Sequence, residues 1–166
     1  MQVGVSGMVK GRLKIVVFGR YHAGKSSLIQ TLDPTSKHIE ADNERDTTTV
    51  AFDLGRVHLK GEEVYLFGTP GQERFEFVRE IVAHGMDAAL LVVDSTQEVD
   101  LITLNQFAYL KDSKIPFAVI LNKCDCSDAR PGKLRPLFHE TMIFEVSTRD
   151  SKQIADMLEK FVESLG

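Results

Sequence analysis

A chain of 166 residues is long enough for one domain with a substantial core and too short for two comfortable ones. Its 43% hydrophobic and 27% charged content is that of an ordinary soluble globular protein. The formal net charge of −4 argues against a non-specific nucleic-acid binder, which needs a basic face. The small cluster Lys10, Arg12 and Lys14 reads as a solvated strand edge. The two cysteines, Cys124 and Cys126, stand too close in sequence for an ordinary structural disulfide and read as reduced thiols of a cytoplasmic protein. Five scattered histidines lack metal-ligand spacing. The first apolar run, residues 13–18, is too short and too flanked by charge for a signal peptide, and no stretch is long enough to span a membrane. Neither terminus carries a lipidation motif, so no covalent membrane anchor is expected.

Apolar runs alternate with amphipathic stretches, the pattern of a mostly parallel α/β sheet. Residues 13–18 read as a buried strand ending at Gly19, and residues 24–32 as a helix stopped by Asp33-Pro34. Residues 33–46 carry almost no core-forming side chains and are expected to be a mobile loop. Strands follow near 49–59 and 64–67, joined across Lys60-Gly61-Glu62 as a hairpin, which makes one edge strand antiparallel to the rest. Continuous apolar runs at 88–93 and 117–121 suit strands covered on both faces. Between them, Val99, Leu101, Ile102, Phe107 and Leu110 recur at roughly helical spacing over 98–111. Residues 142–146 form a last short strand. The helix of residues 151–165 aligns Ile154, Met157, Leu158, Phe161, Val162 and Leu165 on one core face.

The most specific feature is Gly19-Arg20-Tyr21-His22-Ala23-Gly24-Lys25-Ser26, a full match to G-x-x-x-x-G-K-[ST] between a strand and a helix. Glycines let the backbone fold around a diphosphate so that successive N–H groups meet anionic oxygens, and the helix N-terminus adds its dipole. The candidate phosphate-binding residues are therefore Gly19, His22, Ala23, Gly24, Lys25, Ser26 and Ser27. Lys25 is placed to bridge β- and γ-phosphates, and the Ser26 hydroxyl to ligate Mg²⁺. This motif alone implies a nucleoside triphosphate. Asn122-Lys123-Cys124-Asp125, directly after the strand at 117–121, narrows the base. Asp125 can accept from the ring N–H and exocyclic amine of guanine, a donor pair that adenine lacks. Asn122 would tie the base to the phosphate loop and the Lys123 stem would lie along the ring. That motif argues against an ATP-dependent kinase.

On these motifs the chain resembles the Ras-like small GTPases along nearly all of its length. The resemblance implies one GTP-binding domain over residues 1–166. Its expected fold is a mostly parallel six-stranded sheet with one antiparallel edge strand and helices on both faces. It also implies GTP or GDP with Mg²⁺. In Glu145-Val146-Ser147-Thr148, Ser147 and Thr148 would approach the base through backbone amides. Gly68-Thr69-Pro70-Gly71-Gln72-Glu73 is similar to the second switch, with the Gly71 amide on the γ-phosphate and Gln72 orienting the attacking water. Thr47-Thr48-Thr49-Val50 is similar to the first switch, with Thr49, or else Thr48, on Mg²⁺. Gln72, Lys25 and Thr49 are thus the expected catalytic set, and Ser26 and Thr49 the expected metal ligands.

Two departures matter. The family's D-x-x-G aspartate falls on Gly68, as in the prokaryotic MglA/Arf-like branch, and either Asp53 or Asp94 is expected to replace that carboxylate. Asp94 has an alternative role as a helix cap. Tyr21-His22 stands where Ras proteins keep small glycines, which predicts slow unaided hydrolysis. Arg45 and Arg74 could serve as internal arginine fingers or as solvated charges. Phe75, Phe77 and Val78 offer either an apolar docking surface or core. The prolines and glycine of residues 129–136 predict a truncated helix. Resemblance to that branch implies an effector or activating protein of the Roadblock type on the two switches. The competing reading is a nucleotide-binding interaction module with little or no turnover.

Overall fold

Strand Arg12–Phe18 (β1) is apolar on both sides, and that decides the layering. Leu13, Ile15 and Val17 point to one face and Val16 and Phe18 to the other, none more than 2% exposed. A strand buried on both faces needs helices above and below it. The computed structural model describes residues 11–42, 49–69 and 83–166, and these form a seven-stranded sheet. Its strands are β1, Lys37–Asp42 (β2), Thr49–Leu59 (β3), Glu62–Gly68 (β4), Ala88–Asp94 (β5), Phe117–Asn122 (β6) and Met142–Glu145 (β7). The order across the sheet is β2-β3-β4-β1-β5-β6-β7. Strands β4, β1, β5, β6 and β7 run parallel, while β3 is antiparallel to both of its neighbours.

On one face, Leu28 and Ile29 of Lys25–Leu32 (α1) and the apolar stripe of Ser151–Ser164 (α4) cover Leu13, Ile15, Val17, Leu66, Leu90 and Ile120. On the other, Leu110 of Leu101–Ser113 (α2) and Leu134 of the short helix Pro131–Leu134 (α3) cover Val16, Phe18, Leu91 and Val119. Phe138, at the end of the 3₁₀ turn Arg135–Phe138, joins that second face. The expected α/β architecture and the truncated helix near residue 131 are therefore observed.

Two expectations need correction. Residues 37–42 are not loop: they add a seventh strand, so the six expected become seven and β2 takes the sheet edge outside β3. Only Ile39 and Ala41 are apolar there, because an edge strand is held by its backbone ladder and gains from charge that discourages further pairing. The second concerns α2. It begins at Leu101 rather than residue 98, because Asp100 caps it by accepting from the Thr103 amide at 2.9 Å. Its buried side chains are Thr103, Gln106 and Leu110, while Leu101 is 70% exposed. The β3–β4 hairpin forms as expected. Lys60 (φ 55°) and Gly61 (φ 78°) make the two-residue turn whose twist suits a hairpin.

Phe161, 1% exposed under the sheet, measures how much α4 contributes. Phe161→Ala is expected to lower unfolding free energy by about 3–5 kcal/mol, the cost of a large buried cavity. Urea denaturation showing a loss under about 1 kcal/mol would mean that α4 is a detachable cover.

Candidate functional site

Parallel sheets present their loops at the carboxyl ends of the strands, and the candidate residues gather there. The loop after β1 carries three positive φ values, at Gly19 (155°), His22 (69°) and Gly24 (112°). A Cβ on Gly19 would come within 2.7 Å of the Val92 carbonyl oxygen. The loop therefore needs glycine at its first position for space as well as for backbone conformation. Ala23 is fully buried, and its amide donates to the Arg20 carbonyl at 3.2 Å. Lys25 is largely buried, its Nζ donating to the carbonyls of Gly19 (2.7 Å) and Arg20 (2.9 Å). Ser26 and Ser27 are exposed at the start of α1. The Tyr21 ring is 55% exposed and packs on His22 with ring centroids 3.8 Å apart.

The end of β6 is wired to this loop. Asn122, 1% exposed, donates from Nδ2 to the Ala23 carbonyl at 3.1 Å and accepts from the Thr148 amide at 3.2 Å through Oδ1. Lys123 Nζ donates to the His22 carbonyl at 3.0 Å and pairs with Asp94 Oδ2 at 2.8 Å. Asp125 faces solvent 3.8 Å from Arg149 Nη1. A cavity of about 340 Å³ opens beside it, lined by Cys124, Asp125, Ser147, Arg149, Asp150 and Gln153. The Ser147 amide already donates to Gln153 Oε1 at 2.8 Å, so a base oxygen would have to compete with that side chain. Burial pushes the Cys124 thiol up, with a Ser95 hydrogen bond opposing it, and its Sγ donates to the Leu121 carbonyl at 3.2 Å.

The two carboxylates weighed for the Gly68 gap are placed differently. Asp94 Oδ1 accepts from the Thr96 amide (2.9 Å) and hydroxyl (2.6 Å), while Oδ2 holds Lys123. It caps the turn after β5; the cap of the following helix is Asp100. Asp53 instead lies directly opposite Gly68 across the β3–β4 ladder, with Oδ2 at 2.5 Å from the Ser26 hydroxyl. Thr49 opens β3 opposite Asp42, and its side chain lies outside the described residues. Arg45, Thr47, Thr48, Gly71, Gln72, Arg74, Phe75, Phe77 and Val78 also lie outside them. Among the described residues, no cluster of three or more His, Cys, Asp or Glu could cage a metal ion. Nor is any described helix long and apolar enough to cross a membrane.

Burial raises the Asp94 carboxyl, but hydrogen bonds from Lys123 and Thr96, together with the Lys123 charge, hold it below its ordinary 3.8. A depressed folded-state value means a contribution that is complete above the unfolded pKa and lost as pH falls through the folded one. Asp94→Asn should therefore be less stable than the wild type near neutrality. The gap should close on acidification below about pH 4. Urea midpoints measured against pH for both proteins check this; a gap constant down to pH 2.5 would refute it.

Residues that sequence reasoning missed include His38, whose Nδ1 lies 2.9 Å from Asp53 Oδ1, and Gln153. Gln153 was detectable, because Asp150 accepts from its amide as an N-cap in a D-x-x-Q box. Nothing in the sequence pointed to His38, because its partner is set by strand register.

A phosphate loop joined by two side chains to an N-K-x-D strand end defines a P-loop guanine-nucleotide-binding domain. A family profile described as 50S ribosome-binding GTPase matches residues 14–123, and the chain belongs to that GTPase family. The uncharacterized protein MJ1339 of Methanocaldococcus jannaschii is 34% identical over 121 residues, covering 73% of this chain and 76% of that protein. Translation initiation factor IF-2 of Syntrophus aciditrophicus is 30% identical over 156 residues, 87% of this chain but 17% of the factor. The elongation factor SelB of Methanococcus maripaludis, solved with the GTP analogue GppNHp, superposes with a TM-score of 0.71 at 19% identity. The match covers 92% of this chain and 33% of SelB. The G domain of the T. maritima FeoB iron transporter gives 0.69 at 20% identity, over 92% of this chain and 98% of that one. These two likenesses concern the fold.

Proposed function

We propose that this protein binds GTP and GDP with Mg²⁺ and works as a nucleotide-dependent molecular switch with slow intrinsic hydrolysis. The observation that carries this reading is the pair of links from β6 to the phosphate loop, Asn122 to Ala23 and Lys123 to His22. They hold the guanine motif and the phosphate motif at a fixed separation, which a ligand spanning both would require. In this reading Gly19 to Ser27 wrap the phosphates, Lys25 bridges the β- and γ-groups, and Asp125 selects guanine. Ser147 and Thr148 border the base. Mg²⁺ would be held by the Ser26 hydroxyl and Thr49, and would neutralise charge on the phosphates; the exposed Ser26 oxygen and a nearby carboxylate are suitable hard donors.

Gln72 would orient water, and Thr49 and the Gly71 amide would sense the γ-phosphate. Loss of those two contacts on hydrolysis releases the segments around them, which makes a switch. Gly68 in place of an aspartate, followed by Pro70-Gly71-Gln72, supports membership of the MglA/Arf-like branch of small Ras-like G proteins. We assign the whole of residues 1–166 to one such domain in the cytoplasm. Its partner would be an effector or activating protein of the Roadblock type on the switch segments, and not a nucleic acid. The bulky Tyr21-His22 pair supports a slow unaided rate.

Chromatography of the nucleotide released from purified protein, then single-turnover phosphate release with and without Mg²⁺, tests the reading. Guanine nucleotide with slow, Mg²⁺-dependent release of phosphate is expected. Adenine nucleotide would refute the base assignment, and bound GTP with no turnover over a day would favour the interaction module.

A further inference from the structure

We propose that Asp53 on β3 supplies the carboxylate that orders the Mg²⁺ site, taking over from the neighbouring strand the place left by Gly68. The inference rests on the Mg²⁺-nucleotide reading above and specifies which residue of this chain supports the ion.

Three observations converge. The β3–β4 register puts Asp53 directly across from Gly68. A Cβ built on Gly68 would lie 3.4 Å from Asp53 Cβ and 3.5 Å from its Oδ2. A side chain at position 68 would thus start in van der Waals contact with Asp53, whose carboxylate already reaches the region such a side chain would enter. The same Cβ would come within 2.9 Å of Ile29 Cδ1, so the packing of α1 also disfavours a side chain on Gly68. Finally, the Asp53 carboxylate is aimed and held. Oδ2 takes the Ser26 hydroxyl at 2.5 Å, and Oδ1 faces His38 Nδ1 at 2.9 Å. Asp94 is occupied elsewhere, with one oxygen on Lys123 and the other on Thr96.

The mode of action follows from the Ser26 bond. A hydroxyl that donates its proton to a carboxylate turns its lone pairs the other way, toward a cation. Asp53 is thus a positioning residue: it would act through the Ser26 hydroxyl, which would hold the ion.

The test uses the full chain loaded with a fluorescent GDP analogue, reading analogue dissociation against Mg²⁺ concentration, with Mn²⁺ binding followed by electron paramagnetic resonance. In the wild type, Mg²⁺ should slow dissociation. Asp53→Ala should raise the half-effective Mg²⁺ and the Mn²⁺ dissociation constant by about 10–100-fold, while dissociation in EDTA stays as in the wild type. Asp53→Asn, which keeps the size and folding of the site, should behave likewise. Adding Gly68→Asp and Ile29→Val to Asp53→Ala, which restores a carboxylate and removes the obstructing Cδ1, should recover at least part of the loss. A half-effective Mg²⁺ within twofold of wild type in both Asp53 variants overturns the assignment, as does a large shift in Asp94→Ala alone. A wild-type chain that binds no GDP, or whose dissociation ignores Mg²⁺, overturns the underlying reading and the assignment with it.

Discussion

Gly24→Ala is expected to cost about 3 kcal/mol of stability and to weaken GDP binding at least roughly 100-fold. Two separate penalties add. Gly24 sits at φ 112°, where a side chain strains the backbone by about 1–2 kcal/mol. The added Cβ would also stand 2.2 Å from Asn122 Nδ2, a collision that only displacement of Asn122 can relieve. Asn122 is 1% exposed and joins the Ala23 carbonyl to the Thr148 amide. Moving it leaves buried polar groups unpaired, at about 1–3 kcal/mol each. The same displacement parts the phosphate loop from the guanine motif, so binding falls together with stability. Gly85→Ala separates the two penalties, because Gly85 has a similarly positive φ of 74° and, among the described residues, nothing within 4 Å of its would-be Cβ. Urea unfolding and calorimetric GDP titration of both variants decide the matter. If Gly24→Ala proves no worse than Gly85→Ala, the collision with Asn122 carries no weight.

Strands β1, β5 and β6 were legible because burial on both faces forces unbroken apolar runs, which few other structures require. The edge strand β2 was not legible. Lys37, His38 and Glu40 alternate with Ile39 and Ala41 too weakly to reveal a strand whose stability comes from backbone pairing with β3. Helix α2 misled in the opposite way. Of the apolar residues at helical spacing, Leu110 is buried but Leu101 is 70% exposed, while the other buried positions are the polar Thr103 and Gln106. Apolar periodicity finds such a helix but overlooks the polar side chains in its buried stripe.

The site divides along the same line. Residues fixed by local chain geometry, from Gly19 to Ser26 and from Asn122 to Asp125, could be named from spacing, because a phosphate cradle needs glycines and a lysine at set intervals. Relations that depend on strand register could not. Asp53 and Asp94 both stand as candidates on the sequence, and only the β3–β4 register places Asp53 opposite Gly68 and beside Ser26. His38 became visible only when β2 was found to pair with β3 at Asp53. The engagement of the Ser147 amide by Gln153, six residues on, is by contrast local: it joins the loop after β7 to the first turn of α4.

Asp125→Asn should lower GDP affinity by about 10²–10⁴-fold and leave stability within about 0.5 kcal/mol of the wild type. The two halves of that expectation have different origins. Asp125 is exposed, its side chain at 38%, and its ion pair with Arg149 spans 3.8 Å to a side chain 85% exposed. Pairs this open contribute little to folding, so losing the charge should not be felt there. Toward guanine the change is severe. A carboxylate presents two acceptors to the ring N–H and the exocyclic amine; a carboxamide presents one acceptor and one donor, and the donor meets the amine. Xanthine carries a carbonyl where guanine carries that amine, so xanthosine diphosphate should gain affinity in the variant while GDP loses it. Competition of GDP, xanthosine diphosphate and ADP for the fluorescent analogue reads both shifts in one experiment. Equal losses for all three would mean that Asp125 supports the cavity in general rather than choosing the base. A stability loss of several kcal/mol would mean that the carboxylate has a structural partner, and that its exposure beside Arg149 is a poor guide to its role.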